Sequence, residues 1–576
     1  MTRSALTIVR GPVSQPLPAG RQVTTTLAAE GGDLVLTWRA WVRLGSPYLQ
    51  QELRLEARNR PVDITGITFF DLPAAGMTVA GTVDGSPLVR SDMFFATLHP
   101  MAKASVGEYG AQVALARPQP LRPGQAEVVR TVIGAAAPGQ LRRVFSAYVE
   151  QERAHRHRPF LQYNSWFDIS WAGKTLTEAE CLGAISGVGS ALGQRDVKLD
   201  AFVFDDGWDA ADTLWEVDST RFPSGFSPLA AAARKFGSGI GVWMSPWGGY
   251  DPGKAGRLEV GRRAGFRISG DGLSLADPKY FARFRDTAAR FVGSDRVRYL
   301  KFDGMTARDP AETEALFRLL AALRALSPAL FVNLTVGTWP SPFWLWHGDS
   351  IWRGGEDMGF LGAGETREQW ITYRDAQVHR NVVAQAPLFP LSALMTHGIV
   401  DGQHGPGAAM AAGGAALTHD IRAYFGSGVG LQELYITPSR LQPADWDVLA
   451  EAARWARSRA AVLADSHWIG GDPAAGDVYG WAAFDPAASA TRLITAVRGV
   501  LVLRNPNARP ADITLDLEHA FELPASAPRR YQLSSPWKNR DDDGATTAPV
   551  TVAAGKPHTF SLRPFEVRVL EARAVR

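Results

Sequence analysis

Carboxylates, one lysine and several tryptophans recur in this sequence at the ends of short apolar runs. Phe204-Asp205-Asp206-Gly207-Trp208 closes one run and Tyr299-Leu300-Lys301-Phe302-Asp303-Gly304 another. Ile351-Trp352-Arg353-Gly354-Gly355-Glu356-Asp357 closes a third, and Tyr163-Asn164-Ser165-Trp166-Phe167-Asp168 an earlier one. A single Asp after a strand is commonly a turn former or a helix cap. Several acids at equivalent positions, each beside Trp or a basic residue, ask for more than turn chemistry. Sugar hydroxyls need acceptors such as carboxylates, and the C–H faces of a pyranose stack on aromatic rings. Ten of the 18 Trp fall between residues 160 and 360, mostly at these run ends. The combination predicts a sugar pocket, with Trp166, Trp208 and Trp243 as walls and Asp205, Asp206 and Lys301 as polar contacts.

Lys301 stands two residues before Asp303, so on a strand both side chains point to the same side. A cation there keeps a nearby carboxylate ionised, as a nucleophile requires. Glycosidic bond cleavage needs a second carboxyl group, protonated and aimed at the leaving oxygen. Asp357 and Glu356 are the candidates. Asp349 is a weaker one because it precedes its strand.

These residues need a scaffold that gathers strand ends. From 160 to about 437, short apolar runs alternate with amphipathic helical stretches, which predicts parallel strands with helical crossovers. Eight strands are expected, at 160–165, 201–205, 239–245, 299–303, 330–335, 350–352, 386–391 and 434–436. Eight units favour a closed (β/α)8 barrel, whose strands deliver functional residues at their C-terminal ends. The Gly-rich turn of a dinucleotide fold is missing after the first of them. Asp309-Pro310 reads as a helix cap with a first-turn Pro, and Leu316, Leu319, Leu320 and Leu323 follow at helical spacing. Residues 1–140 read as an antiparallel β-sandwich, with Leu53, Leu55 and Ala57 alternating with charged residues. A helical linker at 141–159 leads into the catalytic barrel at 160–465. Residues 466–576 return to β alternation, at Ile513, Leu515 and Leu517 and again at Phe565, Val567 and Val569. A second antiparallel β-domain is expected there.

Composition is ordinary for a globular protein, with 45% hydrophobic and 21% charged residues among 576. A formal net charge of +3 offers nothing for a polyanion, so no nucleic-acid partner is expected. No run of apolar residues is long enough for a membrane span. The first residues lack the apolar core of a signal peptide, which makes a cytoplasmic location the expectation. The lone Cys181 excludes an intrachain disulfide. His155 and His157 lack further ligands at metal-site spacing. Asp541-Asp542-Asp543-Gly544 reads as a solvated loop. The sequence leaves room for a homo-oligomer.

The motifs resemble those of the clan-D glycoside hydrolases, the α-galactosidase and α-N-acetylgalactosaminidase superfamily, in its bacterial branch. Asp205-Asp206-Gly207-Trp208 is similar to the family's motif after strand two, whose acids hold galactose hydroxyls. Lys301-Phe302-Asp303 is similar to its Lys-x-Asp motif ending strand four, which implies Asp303 as nucleophile. Arg353-Gly354-Gly355-Glu356-Asp357 resembles the segment carrying the acid/base, which implies Asp357, with Glu356 in reserve. Asn164-Ser165-Trp166 resembles the first-strand motif. The order β-domain, barrel, β-domain also matches. One departure is clear. The family's Gly-rich strand-five segment with its Cys is replaced by Asn333-Leu334-Thr335-Val336-Gly337-Thr338-Trp339, a region that contacts the sugar. The resemblance implies a retaining α-glycosidase acting on terminal α-galactosides or α-N-acetylgalactosaminides, without a cofactor. Arg353, Glu356 and Asn333 are further expected substrate contacts. A raffinose-synthase-like galactosyl transferase, a metal-dependent barrel enzyme using Asp205, Asp303 and Glu356, and a sugar-binding protein on an inactive barrel stand as alternatives.

Overall fold

A computed structural model describes residues 6–17, 20–117, 119–304, 309–486, 496–537 and 548–575. The Asp541-Asp542-Asp543-Gly544 stretch lies outside the described residues. The chain forms two compact units. The first comprises residues 1–153 together with 340–346 and 384–389. The second holds the barrel and the C-terminal β-domain.

The first unit is a β-sandwich. An eight-stranded antiparallel sheet carries the long strands Leu34–Arg43, Tyr48–Ala57 and Ala126–Ala135, and a three-stranded sheet faces it. Alternation drives this architecture. Leu36, Leu55 and Val129 point inward to meet Ile67 and Leu115 of the smaller sheet, while Arg54, Glu56 and Arg58 face solvent. The helix Leu141–Glu152 closes this unit on its buried Phe145, Tyr148 and Val149.

The second unit is built on a parallel (β/α)8 barrel. Its strands follow in order as Phe160–Asn164, Ala201–Phe204, Gly239–Met244, Tyr299–Phe302, Phe331–Leu334 and Ser350–Trp352. A split seventh strand and Leu431–Ile436 complete it. Parallel pairing runs from each strand to the next, and the eighth pairs with the first, Phe160 opposite Leu431. The helix Pro310–Leu326 forms as its sequence predicts. The Asp309 side chain accepts from the Ala311 amide at 2.7 Å, and Leu316, Leu319, Leu320 and Leu323 are buried.

The expectation for strand seven is corrected. Residues 386–391 form no strand. The seventh strand is instead Leu394–Met395, pairing with strand six, and Ile399–Asp401, pairing with strand eight. Pro387 and Pro390 explain the shift, since each lacks a ladder donor and proline is excluded from central strands. Between the two pieces the backbone kinks at His397, where φ is 57°. The kink leaves the Thr396 and His397 amides without ladder partners, and the Glu433 carboxylate accepts both, at 3.1 and 3.0 Å.

Alternation along the strands sorts side chains into interior layers. Phe160, Ala201, Tyr299, Phe331 and Leu431 share one buried cluster near the N-terminal ends. Lys301, Asn333 and Glu433 lie one step higher, and Asp205, Asp303, Thr335 and Tyr435 one step higher still. The C-terminal β-domain follows the helices Pro443–Ser458 and Ala460–Leu463. It contains a six-stranded antiparallel sheet and a strand pair, packed around Phe484, Leu501, Leu503 and Tyr531.

Candidate active site

The fourth strand sets the centre. Its last turn ends at Asp303, whose amide donates to the Met244 carbonyl at 2.9 Å and so extends the ladder by one residue. Gly304 then turns the chain away at φ 72°, a left-handed conformation that favours glycine. Three neutral donors converge on the Asp303 carboxylate. Trp243 Nε1 donates to Oδ2 at 3.0 Å, and Tyr250 Oη donates to Oδ1 at 3.2 Å. Thr335 Oγ1 donates to Oδ1 as well. Hydrogen bonds of this kind fix the orientation of the carboxylate.

Lys301 shares the inward side with Asp303, as the spacing requires. Its hydrogen bond, however, goes to Asp205 Oδ2 at 2.8 Å, a pair in which both side chains are about 5% exposed or less. Burial alone would push the lysine down. Asp205 and then Asp303 outweigh it and hold the ammonium above its ordinary range. The positive charge therefore sits between two acids while bonding one of them. Asp205 is fixed further by its own amide, which donates to Ser165 Oγ at 2.8 Å.

Asp206 faces the other way along the rim. Its Oδ1 accepts from Arg257 Nη2 at 2.8 Å, and the same guanidinium grips Asp209 through two bonds of 2.8 and 2.6 Å. Burial pushes the Asp206 carboxyl up to about 6, with Arg257 opposing the shift and Asp209 adding to it. Gly207 permits the turn behind these acids, because a β-carbon there would stand 2.8 Å from the Lys174 carbonyl oxygen.

Asp357 lies on the loop after strand six. Its Oδ2 accepts from Trp166 Nε1 at 3.2 Å, and its side chain is 48% exposed, open to an incoming molecule. His397 stands behind it, with Nε2 3.8 Å from Asp357 Oδ1 and Nδ1 3.1 Å from the Asp357 carbonyl oxygen. A carbonyl oxygen only accepts, so Nδ1 carries the proton. Burial, then Lys301 and Arg353, push the imidazole well below its ordinary pKa, which keeps it neutral. Glu356 points to solvent at the exposed rim and contributes its backbone oxygen to Arg353.

Several expected contacts sit elsewhere. Arg353 is buried and spends its fork on carbonyl oxygens, those of Gly354, Glu356 and Asp357 at 2.6, 3.0 and 3.1 Å and that of Thr396 at 3.1 Å. It braces the loop that carries Asp357. Without a carboxylate partner, its guanidinium is pushed down by burial to about 10. Asn333 is fully buried and bonds Ser350 Oγ at 2.9 Å and Met395 Sδ. Trp208 is fully buried too, donating to the Trp243 carbonyl and packing on Phe226 and Phe291 behind the pocket wall. Trp243 meets the site through its indole N–H, and Trp166 remains part-exposed. Asp349 lies at the opposite end of its strand, bonded to His155 at 2.7 Å. Among the described residues, no three His, Cys, Asp or Glu side chains gather as a metal-ligand set.

Sequence reading missed Tyr250, Thr335, Arg257 and His397. Thr335 was accessible to the same rule that found Asp303, since it closes an apolar strand. Tyr250 and Arg257 arrive from a loop and helix with no local motif.

No family model and no curated protein matches the sequence. Solved structures do match the fold. The GH36 α-galactosidase AgaA of Geobacillus stearothermophilus, in complex with raffinose, superposes with a TM-score of 0.66 at 13% identity, over 100% of this chain and 88% of its own. The α-galactosidase of Lactobacillus brevis gives 0.66 at 13%, over 100% and 86%. The galactosidase domain of the α-galactosidase-sucrose kinase AgaSK gives 0.64 at 12%, over 99% and 85%. This chain shares their fold from end to end, a (β/α)8 barrel between two β-domains.

Proposed function

We propose that this protein is a retaining α-glycosidase acting on terminal α-galactosides. The observation that carries the reading is the Asp303 carboxylate, held by Trp243, Tyr250 and Thr335 at the end of strand four. A carboxylate fixed by three donors at the end of a barrel strand is placed to attack a carbon centre. Asp357 is the complementary group. It is half-exposed, bonded by the Trp166 indole N–H and backed by His397, and so is open to a leaving oxygen that arrives from solvent. The reaction proceeds by double displacement. Asp303 attacks the anomeric carbon as Asp357 protonates the departing oxygen, and water then hydrolyses the glycosyl-enzyme with Asp357 as base. Asp205 with Lys301, and Asp206 with Arg257, offer paired acceptors and donors for ring hydroxyls. The galactoside substrate is supported by the likeness to galactosidases that share the fold, among them AgaA, solved with raffinose and with stachyose.

The test is a panel of p-nitrophenyl α- and β-glycosides, including the α-galactoside and the α-N-acetylgalactosaminide. The α-galactoside is expected to be the preferred substrate, with an α-configured first product by NMR. Asp303→Asn should lower kcat by about 10³-fold or more. Azide added to Asp303→Ala should restore turnover and yield the β-glycosyl azide. An inverted first product, or an Asp303→Asn variant retaining above roughly a tenth of wild-type rate, sinks the assignment.

A further inference from the structure

The N-terminal sandwich contains a cavity of about 550 Å³, within the range of roughly 300–1,000 Å³ typical of small-molecule clefts. Three neighbouring strands build its floor. Gln22, Trp41 and Gln50 stand directly opposite one another across Gly20–Ala29, Leu34–Arg43 and Tyr48–Ala57. Two residues along, Arg39, Glu52 and Arg130 form a second row. Strand alternation puts both rows on one face, opposite the face that sends Leu36 and Leu55 into the core. Rows about 7 Å apart on strands about 4.8 Å apart make a platform of the footprint of one pyranose ring.

Two indoles line this cavity, Trp41 and Trp346. Both are part-buried, and neither indole N–H has a hydrogen-bond partner among the described residues. The carboxylates beside them are fixed but not saturated. Glu52 takes Arg130 at 2.9 Å and lies 3.8 Å from Arg39. Glu152 takes Arg43 at 2.9 Å and Tyr48 Oη at 3.0 Å. A carboxylate has about four acceptor sites and an arginine five donors, so each group retains capacity at the cavity surface. Three arginines against two glutamates leave little net charge, too little to select a phosphate or sulfate. Trp346 is held in place by Tyr148 and Phe343, whose ring centroids lie 5.8 and 5.3 Å from its own.

We propose that this cavity binds a neutral saccharide, its ring stacked on Trp41 and its hydroxyls on the Arg39–Glu52 pair, as a carbohydrate-binding site separate from the barrel chemistry. Aromatic stacking supplies the contact area and the ionic pairs supply hydroxyl recognition.

Binding of raffinose, maltotriose, cellotriose and trigalacturonate is measured by isothermal titration on the full chain in the Asp303→Asn background. At least one neutral trisaccharide should bind. Trp41→Ala should weaken that binding at least tenfold, and Arg39→Ala, which alters only an exposed edge, at least threefold. Circular dichroism checks that each variant is folded. In the otherwise wild-type chain, Trp41→Ala should hydrolyse the best p-nitrophenyl glycoside within twofold of the parent rate. That arm separates this site from the barrel, because failure of the glycosidase reading removes turnover in both proteins and leaves the titration intact. Absence of neutral binding, binding of trigalacturonate alone, affinities unchanged in both variants, or turnover lost together with binding would each overturn the proposal.

Discussion

Asp206 carries a pH dependence that can be worked out in sign. Burial raises its carboxyl from the ordinary 3.8 to about 6. Between those values the folded chain holds a proton that the unfolded chain has released. The stability linked to this group is therefore full below about 4 and is lost as pH rises through about 6. Activity runs the other way, since the ionised carboxylate is the stronger acceptor for a sugar hydroxyl. The kcat/KM for an α-galactoside should fall as pH drops through about 6. In Asp206→Asn that limb should disappear, leaving any remaining limb at lower pH, and a limb unmoved by the substitution would show that another group titrates there. Residues of this kind are visible in sequence because each ends an apolar run. Their partners are not. Arg257 lies on the helix Gly253–Arg263, and nothing in its neighbourhood signals Asp206 or Asp209. The two-residue spacing placed Lys301 on the side of Asp303, yet its nearest acid comes from strand two, a choice made by tertiary packing.

The loop after strand six shows how one element positions a reactive group. Arg353 reaches four carbonyl oxygens, three within its own loop and one on the kinked seventh strand. The planar fork is what allows this, and a lysine ammonium has neither the reach nor the geometry. Arg353→Lys should let the loop drift, so that Asp357 meets the leaving oxygen less often in a productive position. The expected effect is a fall in kcat of about 10- to 100-fold with KM changed less, because misplacement by an ångström costs on that order. A KM rise with kcat intact would instead mean that Arg353 touches the sugar. The seventh strand is where sequence reading of the elements fails. Leu388 and Phe389 look apolar enough for a strand, but the prolines around them remove the donors. The true strand is interrupted by Thr396, His397 and Gly398, and needs a glutamate from strand eight to complete its hydrogen bonds. Glu433 itself was detectable as the acid within a short, buried parallel strand.

At the scale of the molecule, alternation alone reveals the order of β-domain, barrel and β-domain, because period-two and helical patterns change at about 140 and again near 465. It does not reveal that 340–346 and 384–389 join the first unit, since such membership depends on contacts far apart in sequence. Nor does it show how the barrel and C-terminal domain are locked together. Arg504, fully buried on the strand Val497–Arg504, bonds Glu368 Oε2 at 2.9 Å, Thr372 Oγ1 at 2.9 Å and Tyr479 Oη at 2.8 Å. Tyr479 in turn donates to Asp375 at 2.7 Å, and Asp375 pairs with Arg374 at 3.0 Å. Glu368, Thr372 and Asp375 all belong to the barrel helix Thr366–Val378. Removing Arg504 takes one of two partners from the buried Glu368 carboxylate, which keeps His419 at 3.1 Å, and breaking a buried pair costs far more than the pair contributes. Arg504→Met should destabilise the protein by about 3–5 kcal/mol. Because the partners lie on both sides of the junction, calorimetry should show the barrel and the C-terminal domain still melting together, at a lower temperature. A variant in which an early transition separates from an unshifted one would mean that the junction is held elsewhere and that the two domains fold independently.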